Sequence, residues 1–181
     1  MGKRIIALIL SALLLLPLVA CGNVSGGSTS TKNEVPRMTP EETLDIMNEL
    51  LDLYNEENKY HPVENLEIEF EKYFSNGHLQ YTFSYEVDED GNINELYISF
   101  LGKSGTYKSG MQTLDGFLNY VSLMICIYAP EKEIDTIWDD AKDFYGSHAR
   151  DGGIEASNGV TFEWSNLSSE YYWLTAKAIL P

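Results

Sequence analysis

Few residues of this sequence have the types and spacing that catalysis or metal binding requires. The three histidines, His61, His78 and His148, have no metal-ligand spacing to one another or to a cysteine. A Cys–His nucleophile would need Cys126, whose apolar surroundings from Val121 to Tyr128 favour a small buried hydrophobe instead. No Gly-x-Ser-x-Gly elbow occurs, and no Ser-x-x-Lys occurs with its partner motifs. Pairs of carboxylates are common by chance in a chain with 28 acidic residues, so they do not indicate an active site. We therefore predict no catalytic residue, no metal site and no cofactor.

Two short segments resemble binding loops in part. From Glu86 to Asn92 the chain is acidic, and counting from Glu86 puts Gly91 sixth, as in an EF-hand loop. Tyr97 then stands twelfth, where that loop needs a bidentate glutamate, so a polar hairpin turn is the better interpretation. Gly102 to Thr106 resembles the end of a phosphate-binding loop, but Tyr97 replaces the first glycine of that pattern. We interpret it as a connection between a strand and a helix.

The amino terminus has the pattern of an export signal. Lys3 and Arg4 precede an apolar run from Ile5 to Val19, which has 15 residues, whereas a membrane-spanning helix needs about 20. A charged start, a short apolar run and a small residue at the end are typical of a secretory signal peptide. Residues 18–21, Leu-Val-Ala-Cys, resemble the lipobox of bacterial lipoproteins. The resemblance implies cleavage after Ala20, lipid attachment to Cys21 and a fatty-acid (palmitate) anchor at the extracytoplasmic face of the cell membrane.

The resemblance and the composition together divide the chain into three parts. Residues 1–20 are the expected signal peptide. Residues 21–37, rich in glycine, serine and threonine, are expected to form a flexible tether. Residues 38–181 have the length of one globular domain. Without Lys3 and Arg4 the full-length charge of −16 becomes −18. So acidic a chain repels phosphate backbones and anionic lipid headgroups. We therefore expect membrane contact through the lipid on Cys21 and no nucleic-acid partner.

Hydrophobic periodicity predicts one α+β domain. Thr39, Pro40 and Glu42 form the start signal of a helix expected from about Pro40 to Glu57. Alternating residues then predict three antiparallel strands, marked by Leu66, Ile68 and Phe70, by Leu79 to Val87, and by Leu96, Ile98 and Phe100. A mostly apolar helix follows from about Leu114, and Pro130 separates it from an amphipathic helix that ends near Gly146. Strands are predicted at 160–164 and 171–179. Amphipathic helices should pack on antiparallel meanders, in the order helix and strands, then helices and strands.

Aromatic residues are concentrated in the last two predicted strands. Tyr172 and Trp173 are adjacent, and neighbouring residues of a strand face opposite sides, so one of the two rings is a candidate for an exposed contact. The competing interpretation is that these rings fill the core. The sequence thus suggests a non-catalytic, membrane-anchored binding module whose partner is an envelope protein, a peptide or a glycan. A cell-envelope hydrolase without a local motif is the alternative, and a transporter's solute-binding component is a third, weaker one.

Overall fold

The computed structural model describes residues 35–57, 69–70, 73–76, 79–103, 110–147, 149–167 and 171–181. Their element order confirms an α+β fold. Helix α1 (Pro40–Glu57) is followed by strands β1 (Tyr73–Asn76), β2 (Leu79–Val87) and β3 (Ile93–Lys103). Helices α2 (Gly110–Tyr128) and α3 (Ile134–Ser147) then precede β4 (Asp151–Glu155), β5 (Thr161–Asn166) and β6 (Tyr171–Ile179). A short 3-10 turn, Glu131–Glu133, separates α2 from α3 after Pro130.

The six strands form one antiparallel sheet in the order β1-β2-β3-β6-β5-β4. Each half of the chain supplies one three-stranded meander, and the two meanders join where β3 pairs with β6. This pairing is long, running from Glu95 opposite Ile179 to Lys103 opposite Tyr171. The predicted order, a helix and strands followed by helices and strands, is therefore confirmed. The two halves of the chain meet at the centre of the sheet, where β3 pairs with β6.

Helix α1 begins where the sequence predicts. The backbone N–H of Thr39 donates to Glu42 Oε2 at 2.8 Å, and the N–H of Glu42 donates to Thr39 Oγ1 at 3.3 Å. This reciprocal pair is a capping box, which satisfies two backbone donors that the helix itself leaves unpaired. One side of α1 then packs in the core through the buried side chains of Met47, Leu50 and Leu51.

Helix α2 lies at the centre of the core. It is buried on most sides, as its apolar sequence predicts, because it packs between the sheet and the other two helices. The strands supply the opposite wall through alternate residues, among them Phe83, Ile98, Phe162 and Trp164. The indole N–H of Trp164 donates to Asp140 Oδ2 at 2.7 Å, which ties β5 to α3 and satisfies the one polar atom of that buried ring.

Two strands differ from the sequence prediction. The first predicted strand was marked by Leu66, Ile68 and Phe70, of which Leu66 and Ile68 lie outside the described residues. Phe70 forms an isolated parallel bridge with Phe83, and the first strand among the described residues is β1. Strand β4 was not predicted at all. Its sequence, Asp-Gly-Gly-Ile-Glu, has one apolar residue and no alternation, and it is held at the sheet edge by backbone pairing with β5.

Candidate binding surface

No helix or strand of the described residues packs on the face of the sheet turned away from the helices. Along β6, Leu174, Ala176 and Ala178 are buried against the helices, whereas Trp173 and Lys177 alternate with them on the other side. The same alternation runs through β2, β3 and β5, so one set of alternate side chains points away from the helices. We call this side the open face. Its side chains form rows across the strands, because each antiparallel pair places residues directly opposite one another.

The first row is apolar. Leu101 on β3 lies opposite Trp173 on β6. The N–H of Leu167 donates to the carbonyl of Trp173 at 2.9 Å, which continues the β5–β6 register by one pair and puts Leu167 on the same face. The exposed fractions are 38% for Leu101, 48% for Trp173 and 59% for Leu167. Three of the five large exposed hydrophobic residues of the described chain therefore stand side by side.

The second row consists of hydroxyl side chains. Thr82 lies opposite Ser99, Ser99 opposite Thr175, and Thr175 opposite Ser165, so that four neighbouring strands each contribute one hydroxyl. At the end of this row Ser165 Oγ donates to Asp151 Oδ1 at 3.3 Å. Within the part of the chain that the structure describes, the hydroxyls of Thr82, Ser99 and Thr175 make no side-chain hydrogen bond. The row can therefore donate to and accept from a ligand.

A charged cluster occupies the next two rows. Lys177 Nζ lies 2.7 Å from Glu95 Oε2 and 5.0 Å from the centre of the Tyr97 ring, over its face. The Tyr97 hydroxyl donates to Glu95 and lies 3.4 Å from Glu86 Oε1. Partial burial opposes ionisation of Glu95, but hydrogen bonds from Lys177 and Tyr97 outweigh it and lower the pKa of this carboxyl. Burial and the Glu95 hydrogen bond raise the pKa of the Tyr97 hydroxyl.

The displaced carboxyl and lysine pKa values of the described residues all favour the charged form. Every displaced carboxyl pKa is lowered: hydrogen bonds from Thr39 lower that of Glu42, those from Ser157 lower that of Glu133, and Asp88 and Glu95 are also lowered. A general acid needs the opposite shift, because it must keep its proton near neutral pH. Lys177 likewise keeps its proton, since its bonds to Glu95 and Tyr97 outweigh the effect of burial and raise its pKa. The hydrolase alternative gains no support from these groups.

The acidic segment from Glu86 to Asn92 forms a hairpin turn, as the sequence predicts. Asp88 Oδ1 accepts the N–H groups of Asp90 and Asn92 at 3.0 and 2.9 Å, and Asp88 Oδ2 accepts from Arg37 Nη1 at 3.0 Å. Gly91 has a φ of 83°, in the left-handed region that favours glycine. One carboxylate oxygen of Asp88 is thus bonded within the turn and the other to Arg37. Among the described residues, no group of three or more histidine, cysteine or acidic side chains is arranged to hold a metal ion.

The predicted role of Cys126 is confirmed. Its side chain is buried in α2, and burial raises the pKa of the thiol to about 12. A thiol in this state is not a nucleophile at neutral pH, because the reactive species is the thiolate. Cys21 and the three histidines, His61, His78 and His148, lie outside the described residues. Residues 104–109 of the predicted glycine-rich connection also lie outside the described residues. The two residues before them, Gly102 and Lys103, form the end of β3.

The two interpretations of the aromatic residues each hold for part of the set. Phe162 and Trp164 fill the core, whereas Trp173 stands on the open face. Sequence reasoning missed the neighbours of Trp173, namely Leu101, Leu167 and the hydroxyl row. The sequence does show which alternate residues of each strand do not face the core. Placing them side by side in rows requires knowing that β3 pairs with β6.

No helix in the described part of the chain is long and apolar enough to span a membrane. No protein-family model, no curated protein and no solved structure matches this sequence.

Proposed function

We propose that this protein is a lipid-anchored, extracytoplasmic binding protein that presents the open face of its sheet to a partner in the cell envelope. The observation that carries the binding role is the apolar row of Leu101, Trp173 and Leu167, exposed side by side next to the hydroxyl row of the open face. Contiguous exposed apolar residues bordered by polar ones mark interaction sites. The lipobox-like residues before Cys21 carry the anchoring role.

The structure supports a defined presentation of this face. Arg37, the last residue of the expected tether, donates to Asp88 at 3.0 Å and to the carbonyl of Pro181 at 2.8 Å. The N–H of Ile93 donates to the carbonyl of Met38 at 2.8 Å. These contacts fix the entering chain at the end of the sheet that holds the β2–β3 turn. The Leu101–Trp173 pair lies six residue pairs beyond Glu95–Ile179 along β3 and β6, which is about 20 Å at the rise of a strand. The tether therefore joins the domain far from the apolar row.

Lipid attachment is tested by replacing each cysteine in turn in a bacterial host fed an alkyne-labelled fatty acid. The unaltered chain and Cys126→Ala should both take up the label, lose the first 20 residues and sediment with membranes. Cys21→Ala should lose the label and accumulate as a soluble protein or as an uncleaved precursor, which its larger mass identifies. Normally processed, membrane-retained protein in the Cys21→Ala strain would contradict the anchoring role.

Binding is tested with the Cys21→Ala chain produced without the signal peptide and mixed with isolated cell envelopes. We expect the protein to sediment with the envelopes, and Trp173→Ala to lower the bound fraction severalfold. Leu53→Ala is the matched control, because Leu53 is a similarly exposed hydrophobic residue (37%) but lies on α1, away from the open face. Equal binding by the Trp173→Ala and Leu53→Ala proteins would exclude the open face as the contact surface.

A further inference from the structure

The apolar row and the hydroxyl row form one uncharged strip on a strongly acidic protein. The strip consists of seven neighbouring side chains without a formal charge, although the chain carries a net charge of −16. Its members are Leu101, Trp173, Leu167, Thr82, Ser99, Thr175 and Ser165. We propose that this strip binds an uncharged glycan, with a sugar ring stacked on Trp173 and the sugar hydroxyls bonded to the hydroxyl row. This inference rests on the proposed binding function and names the class of its ligand.

The chemistry of the strip matches both the faces and the edge of a sugar ring. A pyranose ring presents C–H groups on its faces and hydroxyl groups around its edge. An exposed indole offers a flat apolar surface to the C–H groups, and Leu101 and Leu167 extend that surface on either side of Trp173. Each serine or threonine hydroxyl can donate one hydrogen bond and accept others, which is also what a sugar hydroxyl does.

The geometry of the sheet gives the two rows a regular spacing. Neighbouring strands lie about 4.8 Å apart, so hydroxyls from four strands recur at about that interval along a line. The Trp173 and Thr175 rows are separated by two residues of β6, which is about 7 Å. A sugar ring resting on Trp173 therefore has the hydroxyl row within reach of its edge. An oligosaccharide that lies across the strands can therefore bond to one hydroxyl on each strand that it crosses.

Charge and area argue against the other occupants of this face. An anionic ligand is repelled by the acidic protein, and a cationic ligand is attracted to the carboxylates outside the strip. The strip covers four strands and two rows, roughly 260 Å² from the strand spacing and rise. A stable protein–protein interface needs about 800 Å² on each partner. A second copy that extended its contact over the charged cluster would meet Glu86, Glu95 and Glu163, where Lys177 is already paired with Glu95.

Three uncharged hexasaccharides are suitable probes: those of β-1,4-linked N-acetylglucosamine, β-1,4-linked glucose and α-1,4-linked glucose. Binding to the Cys21→Ala protein is measured by tryptophan fluorescence and calorimetry. We expect at least one probe to bind, Trp173→Ala to weaken that binding by about tenfold or more, and Thr175→Val to weaken it severalfold. Leu53→Ala should leave it unchanged. Affinity should be the same at low and high salt, because no formal charge takes part.

Absence of binding to all three probes would overturn the glycan assignment, as would binding that Trp173→Ala leaves intact. The envelope experiment separates this failure from that of the proposed function. If envelopes retain the protein through Trp173 but an excess of the three probes does not displace it, the open face binds another partner and the glycan assignment is wrong. If neither envelopes nor glycans retain it, both proposals fail. Far-ultraviolet circular dichroism and urea midpoints show whether each variant is folded.

Discussion

Two consecutive glycines of β4 lie where the fold leaves no room for a side chain. A Cβ atom added to Gly153 would stand 2.4 Å from the carbonyl oxygen of Phe162 and 3.3 Å from the Cα of Glu163. Both obstacles belong to the backbone of β5, so they can move only if the two strands separate. At Gly152 the added atom meets the ring of Phe144 at 2.7 Å, which is a side chain and not backbone. Gly153→Ala is therefore the more informative substitution.

The cost of Gly153→Ala follows from two opposed terms. Overpacking a well-packed site costs about 1–3 kcal/mol, and replacing a strand glycine by alanine returns about 0.5–1 kcal/mol of chain entropy. The net expectation is a loss of about 1–2 kcal/mol in the free energy of unfolding. Gly146→Ala in α3 is the matched control, because nothing lies within 4 Å of its added Cβ. There the same chemical change should stabilise the protein by about 0.5–1 kcal/mol.

Urea unfolding, followed by tryptophan fluorescence, to which the buried Trp164 contributes, measures both free energies. The midpoint should fall for Gly153→Ala and rise for Gly146→Ala, with little change in the dependence on urea concentration. Amide hydrogen exchange should accelerate in β4 of the Gly153→Ala protein, since the edge strand must move from β5. If Gly153→Ala is as stable as the unaltered protein while Gly146→Ala is stabilised, the close packing of β4 against β5 is refuted.

Two further predictions concern the capping box and the buried thiol. Thr39→Ala should lower the free energy of unfolding by about 1 kcal/mol at neutral pH, and Thr39→Ser, which keeps the hydroxyl, should restore most of it. Hydrogen bonds from Thr39 lower the pKa of Glu42, so this stabilisation exists above the unfolded-state pKa and is lost as pH falls through the folded-state pKa. The difference between the Thr39→Ala and unaltered proteins should therefore shrink in urea titrations carried from about pH 6 to about pH 3; a constant difference would contradict the capping role of Glu42. In a Cys21→Ala chain, Cys126 is the one remaining thiol. Mass spectrometry should show that iodoacetamide does not modify it until urea unfolds the protein. Rapid labelling of the folded protein would refute the burial of Cys126.

Local signals explain why much of the fold could be predicted. The start of α1 depends on Thr39, Pro40 and Glu42, which are within three positions of one another, and both ends of the predicted helix match the structure. The buried residues of β3 alternate with polar ones, so that strand was also visible. Strand β4 carries no such signal, because its glycines bury no side chain and its position depends on backbone pairing with β5.

The binding surface could not be predicted because its residues are distant in sequence. Leu101 and Trp173 are neighbours only because the two meanders join through β3 and β6, and no local pattern specifies which strands of different halves will pair. The sequence indicated that Tyr172 or Trp173 could be exposed, but it did not indicate what would stand beside the exposed ring. Strand order supplies that information.

The two tryptophans of neighbouring strands show why folding alone does not account for the apolar row. Trp164 is 1% exposed, packs near Tyr145 with ring centres 6.4 Å apart and donates its indole N–H to Asp140, so the core explains its presence. Trp173 is 48% exposed and lies between two exposed leucines on the opposite face of the sheet. Burial stabilises a fold in proportion to the apolar area removed from water, so half of this large ring contributes nothing until something covers it. Replacing Trp173 should therefore cost far less stability than replacing Trp164, and its main effect should be on binding.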